Sequence, residues 1–347
     1  MNNTFVPLVC VECITFNHSA YVRETLDGFS KQETSFPFVC TIIDDASTDN
    51  EQDVINGYLS DFFDFSAGGL SYRRETDDYQ FVFAQHKKNV HCFFAVYLLK
   101  YNHNSIGKNK LPYTEEWLSK AKYLAFCEGD DYWIDPLKLQ KQVDFLERNE
   151  DYGLVHTNLY SNTDGKITKS FKKSKTRNYE EVLLNTEIGT LTVLMRSSIF
   201  MDYLTEIKPS ERGWFVIGDA PIWKYAAYRS KVILLEDITS MYRFHASSIS
   251  HSGNFENKAK IVKTAHDIKC YYNKYYSPKE RFEYLQKSID KSYFQSYLEV
   301  CACFGKTKNA ISFIRGFKEN ISWKEKLYYF SLYIIERLKI FYHVICD

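Results

Sequence analysis

The sequence predicts an α/β fold, a mostly parallel central sheet flanked by helices, and three observations carry that prediction. Residues 8–16 (LVCVECITF), 38–43 (FVCTII) and 123–127 (YLAFC) are short apolar runs with the composition of strands buried on both faces. Between the first two, Val22, Leu26 and Phe29 recur at i, i+4, i+7, as on a helix that covers a sheet. Acidic residues follow two strand ends at once: Asp44-Asp45 after the second, and Glu128, Asp130 and Asp131 after the third. Strand, helix, strand, helix implies right-handed crossovers and ligands at the carboxyl ends of the strands, so both acidic clusters fall on one rim.

Taken in order, Glu12 is the one charged residue inside the first strand, and Asn17-His18-Ser19 turns the chain into its helix. Thr48 and Glu51 have capping-box spacing for a second helix carrying Val54, Ile55 and Leu59. Residues 60–116 are poorly periodic. Residues 67–69 and 102–112 read as loops and 79–84 as a strand, which predicts one or two mobile excursions. After the 123–127 strand, Gly129 makes a turn, and Asp135-Pro136 opens a helix with Asp as N-cap and Pro at its first position. Leu139, Val143 and Leu146 line one face of that helix. Residues 153–159 predict a strand, and 162–174 a lysine-rich hairpin or loop turning at Asp164-Gly165. Residues 180–184 read as a short helix and 190–195 as a strand. Gly218-Asp219 precedes a helix with Ile222, Ala226 and Ala227 on its apolar side; strands follow at 231–235 and 238–244, ending at His245. From about residue 255 the pattern is helical. The last run, 327–346, is apolar but broken by Glu336, Arg337 and Lys339, and reads as a packed terminal helix or as one lying in a membrane interface.

Composition excludes some classes. Lys+Arg and Asp+Glu both number 44, so no basic field draws nucleic acid. Aromatic residues make up 17%, enough for an aromatic core and for sugar or membrane-surface contacts. The nine cysteines form no disulfide framework. Cys10 and Cys13 sit on opposite faces of a strand, and Cys301 and Cys303 have no neighbouring His, so reduced thiols in a cytoplasmic protein are expected. The first residues lack a secretory pattern, and no uninterrupted apolar stretch is long enough to span a bilayer.

The chemistry concentrates at Glu128, Asp130 and Asp131. Three carboxylates within four residues repel one another and are costly to desolvate unless a cation sits among them. Oxygen ligands suit Mg²⁺ or Mn²⁺, which commonly hold a substrate phosphate as well. A solvated acidic turn is the plainer reading, but it leaves the buried strand and the crowding Trp133 unexplained.

Four segments in order, Cys13-Ile14-Thr15-Phe16-Asn17-His18, Asp44-Asp45-Ala46-Ser47-Thr48-Asp49, Glu128-Gly129-Asp130-Asp131-Tyr132-Trp133 and Gly218-Asp219, resemble the inverting nucleotide-sugar glycosyltransferases of family 2, which have the GT-A fold. The resemblance covers roughly residues 5–250. It implies a glycosyltransferase domain over 1–250 and a helical extension over 251–347. It also implies that Thr15 and Asn17 lie near the nucleotide and that one carboxylate of Asp44-Asp45 holds its base or ribose. Glu128-Gly129-Asp130 stands where the family has its metal-binding Asp-x-Asp, with Glu for the first Asp. Asp130 is expected on ribose or metal, and Asp131 or Glu128 on metal. Asp219 matches the catalytic base; a helix N-cap is its structural alternative and is compatible with that role. His245, in YRFHASSIS, matches a segment closing over the diphosphate and is expected on the metal, with Arg243 on phosphate. Gln85 and Asn89 loosely match a donor-side position, and His18 reads as a turn residue.

The implied activity is metal-dependent transfer of a sugar from a nucleotide-sugar, a UDP-sugar in the first place, to a hydroxyl of a glycan or lipid-linked glycan in surface polysaccharide synthesis. The expected setting is the cytoplasm or the inner face of the membrane. The rivals are an inactive nucleotide-binding scaffold of the same fold and a nucleotidyltransferase, although the glycine-rich loop of the latter is missing at Thr15-Phe16-Asn17-His18.

Overall fold

The computed structural model describes residues 5–66, 70–212, 217–245, 253–317 and 319–346. The chain begins with β1 (Val9–Thr15), α1 (Val22–Ser30), β2 (Phe38–Asp44), α2 (Glu51–Phe62), β3 (Phe63–Asp64), β4 (Tyr72–Glu75), β5 (Tyr79–His86) and β6 (Cys92–Leu99). It continues through α3 (Leu111–Leu118), β7 (Tyr123–Phe126), β8 (Tyr132–Trp133), α4 (Lys138–Arg148), β9 (Tyr152–Thr163), β10 (Lys166–Ser170) and β11 (Lys175–Arg177). Then come α5 (Tyr179–Leu184), β12 (Leu194–Arg196), α6 (Ser197–Ile207), α7 (Ala220–Arg229), β13 (Lys231–Phe244) and the helices α8 (Phe255–Tyr276), α9 (Phe282–Cys303), α10 (Thr307–Gly316) and α11 (Trp323–Cys346).

Among the described residues thirteen strands make one sheet, whose centre is the parallel set β7-β1-β2-β6. Thr15 pairs with Asp44, and Asp44 with Leu98, so the carboxyl ends of β1, β2 and β6 finish level. Beyond β6 the sheet turns antiparallel through β5. On the other side β12 runs antiparallel to both β7 and β9, and β9 is parallel to β13. The central strands read as unbroken apolar runs because helices cover both faces. Val9, Val11, Cys13, Phe38, Cys40, Ile42, Phe94 and Val96 share one core with Leu26 and Phe29 of α1 and Ile55 and Leu59 of α2. A fully buried Phe such as Phe29 contributes about 1.5–3 kcal/mol. At Gly28 a Cβ would come within 2.9 Å of the Trp133 carbonyl oxygen, so α1 rests directly on the β8 backbone.

Several sequence expectations need correcting. The stretch 60–116 holds β6, all eight residues of it buried, together with β4 and β5, so it extends the sheet rather than leaving it. The segments 231–235 and 238–244 are one strand, β13, with register shifts between Leu234 and Ser240. At 190–195 a 3₁₀ turn (Thr190–Thr192) precedes the short β12. No capping box forms at Thr48 and Glu51: Asn50 (φ 68°) caps α2 without a side-chain bond. The capping box is on α5, between Asn178 and Glu181. Helix α4 starts at Lys138, and Asp135 receives the Leu137 N–H at 2.9 Å instead of capping the helix. The hairpin turn is as expected, with Asp164 (φ 49°) and Gly165 (φ 88°) both left-handed between β9 and β10.

The chain divides into two units. The first holds residues 1–177, 188–206 and 229–245, the whole sheet; the second holds 178–187, 207–228 and 246–347. In the second, Phe294, Leu298, Cys301, Ala310, Ile314 and Phe317 form a core of their own, with Phe294 and Phe313 stacked at 5.4 Å. Trp323, Leu327, Tyr328, Ile335 and Leu338 of α11 are exposed. Among the described residues no helix is long and apolar enough to cross a membrane.

Candidate active site

The rim at the ends of β1, β2 and β7 is organised by a buried carboxylate. Glu51 accepts hydrogen bonds from Thr15 Oγ1, from the His18 N–H at 2.8 Å and from Ser47 Oγ at 2.8 Å. Burial pushes its pKa up, and these donors counter that. Asn17 sits at φ 57°, a left-handed position that Asn tolerates. Its side-chain oxygen accepts from the Thr48 N–H at 2.7 Å, and its own N–H donates to Ser47 Oγ at 2.9 Å. Thr15 and Asn17, both expected near the nucleotide, thus fasten the β1 and β2 loops together.

The acidic turn is packed onto this frame. The Gly129 N–H donates to the Ile14 carbonyl at 3.2 Å, and a Cβ at 129 would lie 1.9 Å from Thr15 Oγ1, so no other residue fits. Thr25 Oγ1 donates to the carbonyls of Gly129 (2.9 Å) and Asp131 (2.6 Å). The carboxylates that follow have different surroundings. Asp131 is buried, accepts the Arg243 N–H at 2.8 Å, and is pushed well above the usual carboxylate range by desolvation and by Glu128 and Asp130. Asp130 is part-exposed, with Oδ2 2.9 Å from His245 Nε2 and 3.8 Å from His18 Nε2. One ligand atom from each of these three residues falls within 4.8 Å of the others. Glu128 is half-buried, and its carbonyl accepts the Asp131 N–H at 3.2 Å. Arg243 holds the turn: Nη1 donates to the Asp130 carbonyl at 2.5 Å, Nη2 pairs with Glu24, and the guanidinium lies 4.2 Å above the Tyr132 ring.

One carboxylate oxygen and two imidazole nitrogens fit Mn²⁺ better than Mg²⁺, which demands oxygen ligands. Burial holds His18 below the ordinary histidine value, which keeps a ring lone pair free for such an ion. The sequence reading missed His18 because its Asn-His-Ser context is that of a turn. Only the fold brings it to Asp130.

Asp44 and Asp45 also differ. Both oxygens of Asp45 are engaged, by the N–H groups of His103 (2.6 Å) and Asn104 (3.1 Å) and by Lys110 Nζ (2.7 Å), so it braces the loop after β6. Asp44 accepts from the Ser47 N–H (3.1 Å) and Gln52 Nε2 (2.6 Å) through Oδ1, while its buried Oδ2 has no hydrogen-bond partner among the described residues. Burial raises its pKa. A cleft of about 370 Å³ opens at the Ala46–Ser47–Thr48 loop and is lined by Gln52, Gln80 and Lys100. Gln85 and Asn89 lie elsewhere. Asn89 Nδ2 donates to the Ser30 and Gln32 carbonyls at the start of β6, on the opposite rim, and Gln85 donates to the Val90 carbonyl. The expected donor-side position therefore does not hold.

Asp219 belongs to the second unit, half-buried at the start of α7, where its carbonyl accepts the N–H groups of Ile222 (2.9 Å) and Trp223 (3.2 Å). The helix start is anchored within that unit: Tyr272 Oη donates to the Pro221 carbonyl at 2.8 Å and Lys224 Nζ to Thr186 Oγ1 at 2.6 Å.

No family model matches the chain. Its fold is nevertheless that of the GT-A glycosyltransferases, and its sequence relatives include glycosyltransferases. Protein Rv1520 of Mycobacterium tuberculosis is 29% identical over 256 residues, 72% of this chain and 62% of the relative, so the chain spans less than two thirds of that protein. TuaG of Bacillus subtilis, a glycosyltransferase assigned to teichuronic acid biosynthesis, is 25% identical over 54% of this chain and 62% of its own length. The Escherichia coli enzyme WfaP, a UDP-Glc:α-D-GlcNAc-diphosphoundecaprenol β-1,3-glucosyltransferase, is 26% identical over 38% of this chain and half of its own. Among solved structures, Staphylococcus aureus TarS in complex with UDP superposes with a TM-score of 0.51 at 14% identity, over 90% of this chain and 75% of that one. The mannosyltransferase PcManGT of Pyrobaculum calidifontis, in complex with GDP-Man and Mn²⁺, gives 0.50 at 12%, over 96% and 88%.

Proposed function

We propose that the chain is a metal-dependent, inverting glycosyltransferase that moves a sugar from a UDP-sugar to a hydroxyl of a glycan or lipid-linked glycan in surface polysaccharide synthesis. The observation that carries the reading is the convergence of Asp130, His18 and His245 on a rim whose neighbouring cleft is lined by polar side chains. The UDP complex of TarS, the Mn²⁺ complex of PcManGT and the donor and acceptor in the name of WfaP support it. Asp130, His245 and His18 would hold Mn²⁺, with Glu128 at the edge of the turn. Bound there, the ion supplies Lewis-acid stabilisation of charge on the leaving diphosphate, worth several kcal/mol. Asp131 and Arg243 set the turn's shape. Asp44, with its unpartnered oxygen, faces the donors of the nucleoside, and Asp219 removes the proton of the attacking hydroxyl. Release of UDP from UDP-sugars in the presence of lipid-linked acceptors tests the reading. Turnover with Mn²⁺ that is lost on chelation is expected; full turnover after chelation contradicts it.

The lipid side of the reading rests on α11. Trp323, Leu327 and Leu338 are each more than 60% exposed on a helix that also carries Lys324 and Lys339, as on a helix lying in a bilayer interface. Leu327→Ser/Leu338→Ser is expected to cut co-sedimentation with anionic phospholipid vesicles several-fold without loss of helicity. Equal sedimentation of variant and wild type rules this surface out.

A further inference from the structure

The second unit contains another cluster of ligating side chains, built from two helices joined by a short turn. His266 and Cys270 are one turn apart on α8, and Asp290 comes from α9. His266 Nε2 lies 3.0 Å from Asp290 Oδ1 and 3.4 Å from Cys270 Sγ, and one ligand atom from each residue falls within 4.8 Å of the other two. A tetrahedral Zn²⁺ with ordinary bond lengths spaces S and N by about 3.6 Å and N and O by about 3.4 Å, close to what is observed. The second layer is arranged in the manner of a metal site. Gln286 Nε2 donates to Cys270 Sγ (3.2 Å) and to Asp290 Oδ1 (2.9 Å), and Asn320 Nδ2 donates to Asp290 Oδ2 (2.7 Å). The other ring nitrogen of His266 is 3.6 Å from Asp267 Oδ1, which also pairs with Lys263. Asp290 is buried, with His266, Gln286 and Asn320 around its carboxyl group, while the half-buried Cys270 leaves a way in.

We propose that His266, Cys270 and Asp290 form a zinc site, with a fourth position open to water, that cross-links α8 to α9. The mixed nitrogen, sulfur and oxygen donors select Zn²⁺ over Mg²⁺, Ca²⁺ or Mn²⁺. They also separate this site from the Asp130 cluster, which has no thiol. Without metal the Cys270 side chain carries its thiol proton. Binding replaces that proton with the ion, and the proton leaves to solvent.

The test is titration of the full chain, stripped with a chelator, with Co²⁺ as a spectroscopic stand-in for Zn²⁺. One equivalent should produce a thiolate-to-cobalt charge-transfer band. The band should disappear in Cys270→Ser and persist in Asp130→Asn, and Gln286→Ala should weaken the affinity about 10–100-fold. A folded wild type with no such band, or the same band in Cys270→Ser, overturns the proposal. Should Cys270→Ser fail to fold, the thermal midpoint of Asp130→Asn, which lacks the other cluster's carboxylate, decides: a rise with equimolar Zn²⁺ supports the site and an unchanged midpoint refutes it.

Discussion

Asp219→Asn is expected to lower sugar transfer by about 10²–10⁴-fold, the usual contribution of a positioned general base, and to leave UDP affinity unchanged. The substitution keeps the helix start. Asn serves as well as Asp at a helix start, and α7 is held independently by Tyr272 on the Pro221 carbonyl and by Lys224 on Thr186. The substitution removes the ability to take the hydroxyl proton. Steady-state turnover together with a UDP titration of the same preparation separates the two effects. Wild-type turnover would show that the base lies elsewhere; weakened UDP binding would assign Asp219 to the donor.

Asp130→Asn is expected to abolish the response to Mn²⁺ and to reduce turnover by about 10²–10³-fold, the kinetic equivalent of several kcal/mol of lost charge stabilisation. An amide still accepts a hydrogen bond from His245, so the turn survives. The informative partner is Asp131→Asn. Asp131 is buried, accepts the Arg243 N–H and is biased toward its neutral form, so an amide at 131 mimics the side chain it replaces. It is expected to retain turnover within a few-fold. Equal losses in the two variants, measured as turnover against Mn²⁺ concentration, would assign both carboxylates to the ion.

Neighbours in sequence and neighbours in space explain what could be read in advance. The strands of residues 8–16 and 38–43 were legible because burial on both faces leaves an apolar run, and the acidic residues after them marked the rim. The same rule applied to CFFAVYLL at β6, yet that run lies among loops and without alternation an apolar run does not distinguish strand from buried helix. Glu51 looked like a capping residue from its spacing to Thr48, but the fold gives its carboxylate three other donors. Asp45 was indistinguishable from Asp44 until the loop carrying His103 and Lys110 closed on it. His18 and the pair His266 and Cys270 gain chemical meaning only from Asp130 and Asp290, each far away in sequence.

The most direct test of the central claim, a cation-dependent nucleotide site at the strand-end rim, is calorimetric titration of UDP into the wild type and into Asp130→Asn, with Mn²⁺ and after chelation. Binding that requires Mn²⁺ and is lost in the variant is the predicted result. Equal UDP affinity in the wild type with and without Mn²⁺, undiminished in Asp130→Asn, would contradict it.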